Sequence, residues 1–262
     1  LGDVQLNAVG GNAPIGNICK LASCRHFFPT LNRSVGHHRA IRRNGTSMQS
    51  RARVETIFFD LDGTLTDPKE GITGSIQYAL MKLGETVLSQ DELTWCIGPP
   101  LLDSFAQLAG AQRAQEGVDW YRERFSTLGK FENRVYAGIP EVLEVLSARY
   151  PLYVASSKPL VFVNQILQHF DLSQFFCQTF GSGLDGSLAD KSKLLSHALR
   201  ATGVTPEYSL MIGDRSHDAV GAKNNGLDFI GALYGYGSVA EYRASGFSRW
   251  AEAPADLVNL VQ

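Results

Sequence analysis

The run Phe58-Phe59-Asp60-Leu61-Asp62-Gly63-Thr64-Leu65-Thr66-Asp67 constrains this chain more than any other stretch. Apolar Ile57-Phe58-Phe59 leads straight into two carboxylates, with a glycine and two threonines behind them. Strands of a parallel sheet are covered on both faces and read as continuous apolar runs, and ligands of open α/β sheets collect beyond the strands' carboxyl ends. Asp60 and Asp62 are therefore expected at the mouth of a site. Two anionic groups held so close repel each other and lose water, a cost that a bound cation or a shared proton offsets.

Beyond this stretch a helical pattern comes first. After Asp67-Pro68, apolar positions at Ile72, Ile76, Ala79, Leu80 and Leu83 have helical spacing and stop at Gly84. Further helices are expected at about 89–96, 100–109 and 113–128, so residues 68–136 form an all-helical domain inserted in a loop. From 137 onward strands are expected near 152–155, 175–180, 208–212 and 228–233. Helices alternate with them, near 139–149, 160–170, 190–202, 217–225 and 254–261. Such alternation builds a parallel sheet sandwiched by helices. The core is then 54–67 with 137–262, and the fold class is α/β with an inserted helical cap.

Charge is unevenly divided. Residues 1–53 carry eight Lys or Arg and one acid, Asp3, leaving 16 basic and 25 acidic residues in the remainder. An acidic body argues against a nucleic-acid polymer as partner, because phosphate backbones demand a basic face. It leaves room for a small phosphorylated ligand neutralised by a metal and one or two lysines. No apolar run approaches the ~20 residues of a membrane-spanning helix. The four cysteines (Cys19, Cys24, Cys96, Cys177) are scattered through a chain of 262 residues, which points to a reducing, cytoplasmic setting. The N-terminal 53 residues, rich in Gly and Asn with no clear period, read as disordered or extraneous. A basic organellar transit peptide is the alternative, and Cys19, Cys24, His26, His37 and His38 fit no standard zinc spacing.

Polar clusters fall just after strands: Asp60 and Asp62, then Ser156 and Ser157, then Asp214 and Asp218, with Lys191 at a helix start. Each alone has a bland reading, as a cap or a solvated side chain. Together they supply the roles that phosphoryl transfer needs. Asp60 can be a nucleophile and Asp62 an acid and base. Asp214 adds a hard oxygen ligand suited to Mg²⁺, and Ser156 with Lys191 can hold phosphoryl oxygens. Asp218 can steady the metal's waters or Lys191. Lys193 competes with Lys191 for its role, and His217 is expected to face outward. Tyr78, Trp95 and Phe105 read as cap core, whereas Thr73, Ser75 and Gln77 are the cap's candidate specificity residues.

The run Asp60, Asp62, Gly63, Thr64, with Ser156, Lys191 and GDRSHD at 213–218, resembles the four motifs of the haloacid dehalogenase superfamily, in its phosphatase branch. The resemblance spans residues 55 to about 235. It implies a Rossmann-like three-layer core with a helical cap and an aspartyl-phosphate on Asp60. It also implies Mg²⁺ held by Asp60, the Asp62 carbonyl oxygen and Asp214, with Asp218 behind them. The phosphate would be bound by Leu61, Asp62, Ser156, Ser157 and Lys191. Dehalogenating members lack the second aspartate, so Asp62 speaks for a phosphatase. Ile97-Gly98-Pro99-Pro100, the run 180–195 and Tyr234-Gly235-Tyr236-Gly237 resemble phosphoglycolate phosphatases and, more closely, a 5′-nucleotidase-like subgroup. Ser156-Ser157-Lys158 departs from the Thr-Asn-Lys usual in the former, which bears on substrate. The expected substrates are nucleoside 5′-monophosphates, then phosphoglycolate. A phosphomutase of the same superfamily and a non-catalytic receiver-like module are the rival readings.

Overall fold

The computed structural model describes residues 53–261. The expectations for the N-terminal segment, including Cys19, Cys24, His26, His37 and His38, lie outside the described residues. At the centre stands β1 (Thr56–Phe59), whose four side chains are all buried. On one side it pairs in parallel with β4 (Leu152–Pro159), which carries β5 (Gln178–Ser182). On the other lie β6 (Ser209–Gly213), β7 (Asp228–Ala232) and the short β8 (Trp250–Ala251), giving the order β5-β4-β1-β6-β7-β8.

The two-residue period of a strand sorts side chains between the faces. Ile57, Phe59, Leu152, Val154, Leu210 and Ile212 point one way. They meet α4 (Ile139–Ser147), α5 (Leu160–His169) and the terminal turn α9 (Leu257–Leu260). Phe58, Ala155 and Met211 point the other way, onto α6 (Lys191–Thr202), α7 (Ser216–Asn225) and α8 (Val239–Ala244). Each fully buried aliphatic or aromatic side chain of this kind contributes roughly 1.5–3 kcal/mol of transfer free energy. The result is a three-layer sandwich. Because the chain leaves β1 towards β4 and later returns to β6, a crevice opens beyond the carboxyl ends of β4, β1 and β6.

The helical insertion leaves and re-enters through a two-stranded antiparallel ribbon, β2 (Thr66–Asp67) with β3 (Arg134–Val135). Between them α1 (Lys69–Leu83), α2 (Leu101–Ala109) and α3 (Ala114–Arg124) pack around their own core. Ile76, Leu80, Leu93, Phe105, Val118, Tyr121 and Phe125 form that core, and Phe162 of α5 joins it from below. Close approach is required at Gly71, where a Cβ would lie 1.9 Å from the Gly129 carbonyl oxygen.

Three local expectations change. The helix expected over 113–128 ends at Arg124 and continues as a π-helical turn, Phe125–Gly129, which closes against Gly71 and swings Phe125 towards the crevice. Such turns concentrate at functional sites. The helix expected at 89–96 is reduced to a 3₁₀ turn, Thr94–Cys96, preceded by a turn in which Ser89 and Glu92 bond each other. The tail is a 3₁₀ turn followed by one turn of α-helix rather than a continuous helix. Among the described residues no helix is long and apolar enough to cross a membrane.

Candidate active site

The loop after β1 is built by backbone bonds. The Asp60 amide donates to the Ile212 carbonyl (2.9 Å), extending the sheet by one residue. The Leu61 carbonyl then accepts from the Leu65 and Thr66 amides at 2.9 and 3.0 Å, which folds the chain tightly on itself. Gly63 sits at φ +80, and a Cβ there would lie 2.1 Å from Asp214 Oδ2, so only glycine lets the loops that carry Asp62 and Asp214 touch. The amides of Leu61 and Asp62 donate to no backbone carbonyl among the described residues, which leaves them as donors at the loop's rim. The Leu61 side chain itself is fully buried in the sheet's core, so only its backbone can serve a ligand.

Lys191 reaches this loop from the start of α6. Asp190 caps the helix by accepting from the Lys193 amide (2.9 Å), a geometry that turns Lys191 inward and leaves Lys193 exposed. The Lys191 ammonium donates to Asp60 Oδ1 and to the Ala155 carbonyl, both at 2.8 Å. Asp218 Oδ1 lies 2.8 Å from the same nitrogen, in ion-pair contact but outside hydrogen-bond geometry. Burial works against the Lys191 charge, yet Asp218 and Asp60 outweigh it and hold the ammonium well above its ordinary range. With its donors so placed, Lys191 contributes charge and alignment rather than a free hydrogen bond.

Carboxylate oxygens of Asp60, Asp214 and Asp218 all lie within 4.8 Å of one another, and all three residues are buried. Asp214 Oδ2 accepts from the Tyr236 amide (2.8 Å), while Asp214 Oδ1 and Asp62 Oδ1 are buried without a hydrogen-bond partner. Burial first, then Asp218 and Asp60, push the Asp214 carboxyl far above the usual carboxylate range. Burial likewise raises Asp218 and Asp62, opposed by Lys191 and Lys158 respectively. Formally, four carboxylates and two ammonium groups leave two negative charges, which one divalent cation balances. Orphaned carboxylate oxygens and a hard donor set fit such an ion.

The sequence motifs do not single out Lys158 as a site residue. Its ammonium lies 2.6 Å from Asp62 Oδ2 and 4.6 Å from the centre of the Phe125 ring, so it ties the first loop to the insertion. The available signal is a lysine at the carboxyl end of a central strand, directly behind two serines. Ser156, almost fully buried, accepts weakly from the Lys158 amide (3.4 Å), and Ser157 lines the same space.

These groups open into a cavity of about 330 Å³ between the strand ends and the insertion. Its far wall is apolar, with Leu101, Val118, Tyr121 and Phe125 from the insertion and Phe162 from α5. Two arginines span it in opposite senses. Arg122 of α3 donates to the Leu184 carbonyl (2.7 Å) in the loop after β5, and Arg215 beside Asp214 donates to the Ile97 carbonyl in the insertion.

Residues 57–232 match the family model described as haloacid dehalogenase-like hydrolase. The chain belongs to the haloacid dehalogenase-like hydrolase family. It is 51% identical over 213 residues to a 5′-nucleotidase of Pseudomonas aeruginosa, covering 80% of this chain and 95% of that protein. A tyrosine-protein kinase PtkA of Mycobacterium tuberculosis is 37% identical over 184 residues, which cover 70% of this chain and 63% of the kinase. Among solved structures, one from Clostridium acetobutylicum described as a predicted phosphatase superposes with a TM-score of 0.77. It is 39% identical and is matched over 80% of this chain and 98% of its own. Within the family this hydrolase is a phosphatase.

Other expected positions fall differently around the hydrolase's cavity. Thr73, Ser75 and Gln77 are not among the residues that line the cavity. Their side chains donate to the carbonyls of Lys69, Gly71 and Leu88, inside the insertion, because α1 turns that face to its neighbours. Phe105 is fully buried and Trp95 packs against the same cluster, whereas Tyr78 donates to Glu123 near the surface. His217 is exposed but stands at the cavity's rim.

Proposed function

We propose that this phosphatase is a Mg²⁺-dependent phosphomonoesterase that hydrolyses nucleoside 5′-monophosphates through an aspartyl-phosphate on Asp60, with residues 54–67 and 137–262 as core and 68–136 as cap. The observation that carries the reading is Lys191, buried and bridging Asp60 and Asp218 beside Asp214 at the floor of the cavity. Held by the Asp60 and Asp214 carboxylates and the Asp62 carbonyl oxygen, Mg²⁺ would screen these acids from an incoming phosphoryl group.

The chain's own residues divide the rest. An Asp60 oxygen attacks phosphorus as the bond to the leaving oxygen breaks, and Asp62, whose carboxyl burial raises above its ordinary range, gives that oxygen a proton. Asp62, now a carboxylate, takes a proton from water, which attacks phosphorus, releases phosphate and restores Asp60. The Leu61 and Asp62 amides, Ser156 and Ser157 are the donors for the phosphoryl oxygens, with Lys191 supplying charge. Asp218 acts through Lys191 and through the Arg215 amide it accepts (3.1 Å). The apolar far wall and the identity to the 5′-nucleotidase favour a nucleoside leaving group over the short acid of phosphoglycolate.

Phosphate release from a panel of nucleoside 5′-monophosphates and phosphoglycolate, with and without Mg²⁺, tests this. Nucleotides are expected to be turned over only with the ion, and Asp60→Asn to be inactive. Isomerised substrate without free phosphate would instead establish a mutase.

A further inference from the structure

We propose that Lys158 is a positioning residue for the water-attack step, holding Asp62 in place to take the proton from water, and that the insertion completes this arrangement through Phe125. The inference rests on the aspartyl-phosphate reading above and assigns a lysine to the base half of its cycle. Lys158 stands at the end of β4, where the register with β5 breaks between Ser156 and Pro159. Such irregularities re-aim side chains beside active sites. Gly181 of β5 leaves room for this one, because a Cβ there would lie 2.8 Å from the Lys158 carbonyl oxygen. The Lys158 side chain lines the cavity, 6% exposed, with its ammonium 2.6 Å from Asp62 Oδ2.

The other contact of this ammonium belongs to the insertion. It lies 4.6 Å from the centre of the Phe125 ring, a cation–π distance. That ring is held in turn, stacked on Tyr121 at 5.1 Å and edge-on to Phe162 at 5.4 Å. A lysine is a point charge on a flexible stem, and contact with a carboxylate and a ring face fixes where the charge stands. In the second step water's oxygen bonds phosphorus, the bond from phosphorus to Asp60 breaks, and the proton passes from water to the Asp62 carboxylate. A base already aligned for that transfer is worth more than one that must first be ordered. The two buried lysines divide the acids between them. Lys191 pairs with Asp60 and Asp218, whereas Lys158 pairs with Asp62. Loss of Lys158 therefore falls on the step that uses Asp62.

Dinitrophenyl phosphate separates the two steps. Its leaving oxygen needs no proton, so kcat/KM reports attack by Asp60, and slow water attack shows as a lowered kcat behind a burst of dinitrophenol. In the full chain with Mg²⁺, Lys158→Met is expected to lower kcat about tenfold or more with a stoichiometric burst, while kcat/KM stays within about threefold because KM falls as well. Phe125→Leu keeps both charges and is expected to shift kcat the same way by less, so it decides the question by the same split if Lys158→Met does not fold. The double variant Asp62→Asn with Lys158→Met is expected to be no slower than Asp62→Asn alone, as for a residue that acts through another. An unchanged kcat in Lys158→Met, a kcat/KM that falls as far as kcat, or a double variant slower by the full factor overturns the proposal and leaves the phosphatase reading standing. An unchanged kcat in Phe125→Leu overturns the part assigned to the insertion. Asp62→Asn with the wild-type kcat overturns the acid–base reading of Asp62 and this proposal with it.

Discussion

Lys191 is the residue on which the buried charges depend. One ammonium faces Asp60, Asp218 and the Ala155 carbonyl, all at 2.8 Å, with the side chain 4% exposed. Removing one partner of a buried charge cluster leaves the others uncompensated, at a cost of about 3–5 kcal/mol. Lys191→Met is therefore expected to lose about that much in urea unfolding of the metal-free protein, and to lose turnover as well. An unfolding midpoint equal to that of the wild type would show that Lys191 does not balance these acids. At this scale much was legible, because Asp60, Asp62, Ser156, Lys191, Asp214 and Asp218 each follow a strand or open a helix at a recognisable motif. Lys158 and Arg122 were not legible. Their roles depend on a long side chain crossing between elements far apart in sequence, which no local period records.

At the level of elements, the ribbon of β2 and β3 decides how the insertion is hung. Asp67 at its edge accepts from Arg134 (Nη2, 2.6 Å), from the Lys69 amide and from the Tyr236 hydroxyl. Burial pushes the Asp67 carboxyl up, but the Tyr236, Arg134 and Lys69 donors together outweigh it and hold the group below its ordinary range. A lowered folded value stabilises above the ordinary carboxylate range, and that contribution is lost as pH falls from there through the lowered folded value. Arg134 is 79% exposed, so most of the effect is assigned to Tyr236. Asp67→Asn is expected to cost about 1–2 kcal/mol at neutral pH, with the difference from wild type vanishing in acid. Urea unfolding at pH 7 and near pH 3 measures it, and a penalty of equal size at both would place the effect elsewhere.

Elements with a clear apolar period were legible. α4, α5 and α6 stand within one or two residues of their expected spans. β2, β3 and β8 are two residues long and carry no period to detect. The π-helical turn at Phe125–Gly129 arises from a tertiary contact, the approach of Gly129 to Gly71.

For the whole molecule, the sheet collects four acids at one crevice and the cap covers them. A divalent cation held by these acids would bind only the folded protein, so Mg²⁺ is expected to stabilise the native state by mass action. At a concentration about a hundredfold above its dissociation constant, Mg²⁺ is expected to add about 2.7 kcal/mol, a rise of about 5–10 °C in Tm for a folded body of this size. Asp214→Asn should abolish most of that rise in a thermal melt. An equal Mg²⁺ response in both proteins would mean that the ion binds somewhere else. The sandwich and its helical insertion were legible from the alternation of elements. The cavity was not, because its walls come from side chains of six helices, α1, α2, α3, α5, α6 and α7, and from the loops between them.

Peptide mapping by mass spectrometry tests the mechanism most directly. Asp62→Asn lacks the group that activates water, so after brief exposure to an aryl phosphate, whose leaving oxygen needs no proton, with Mg²⁺ and an acid quench it should accumulate the covalent intermediate. The phosphoryl group is predicted on the peptide that carries Asp60, at that residue. A phosphoryl group on another side chain, or none in a preparation whose wild type turns over the same substrate, would contradict the account.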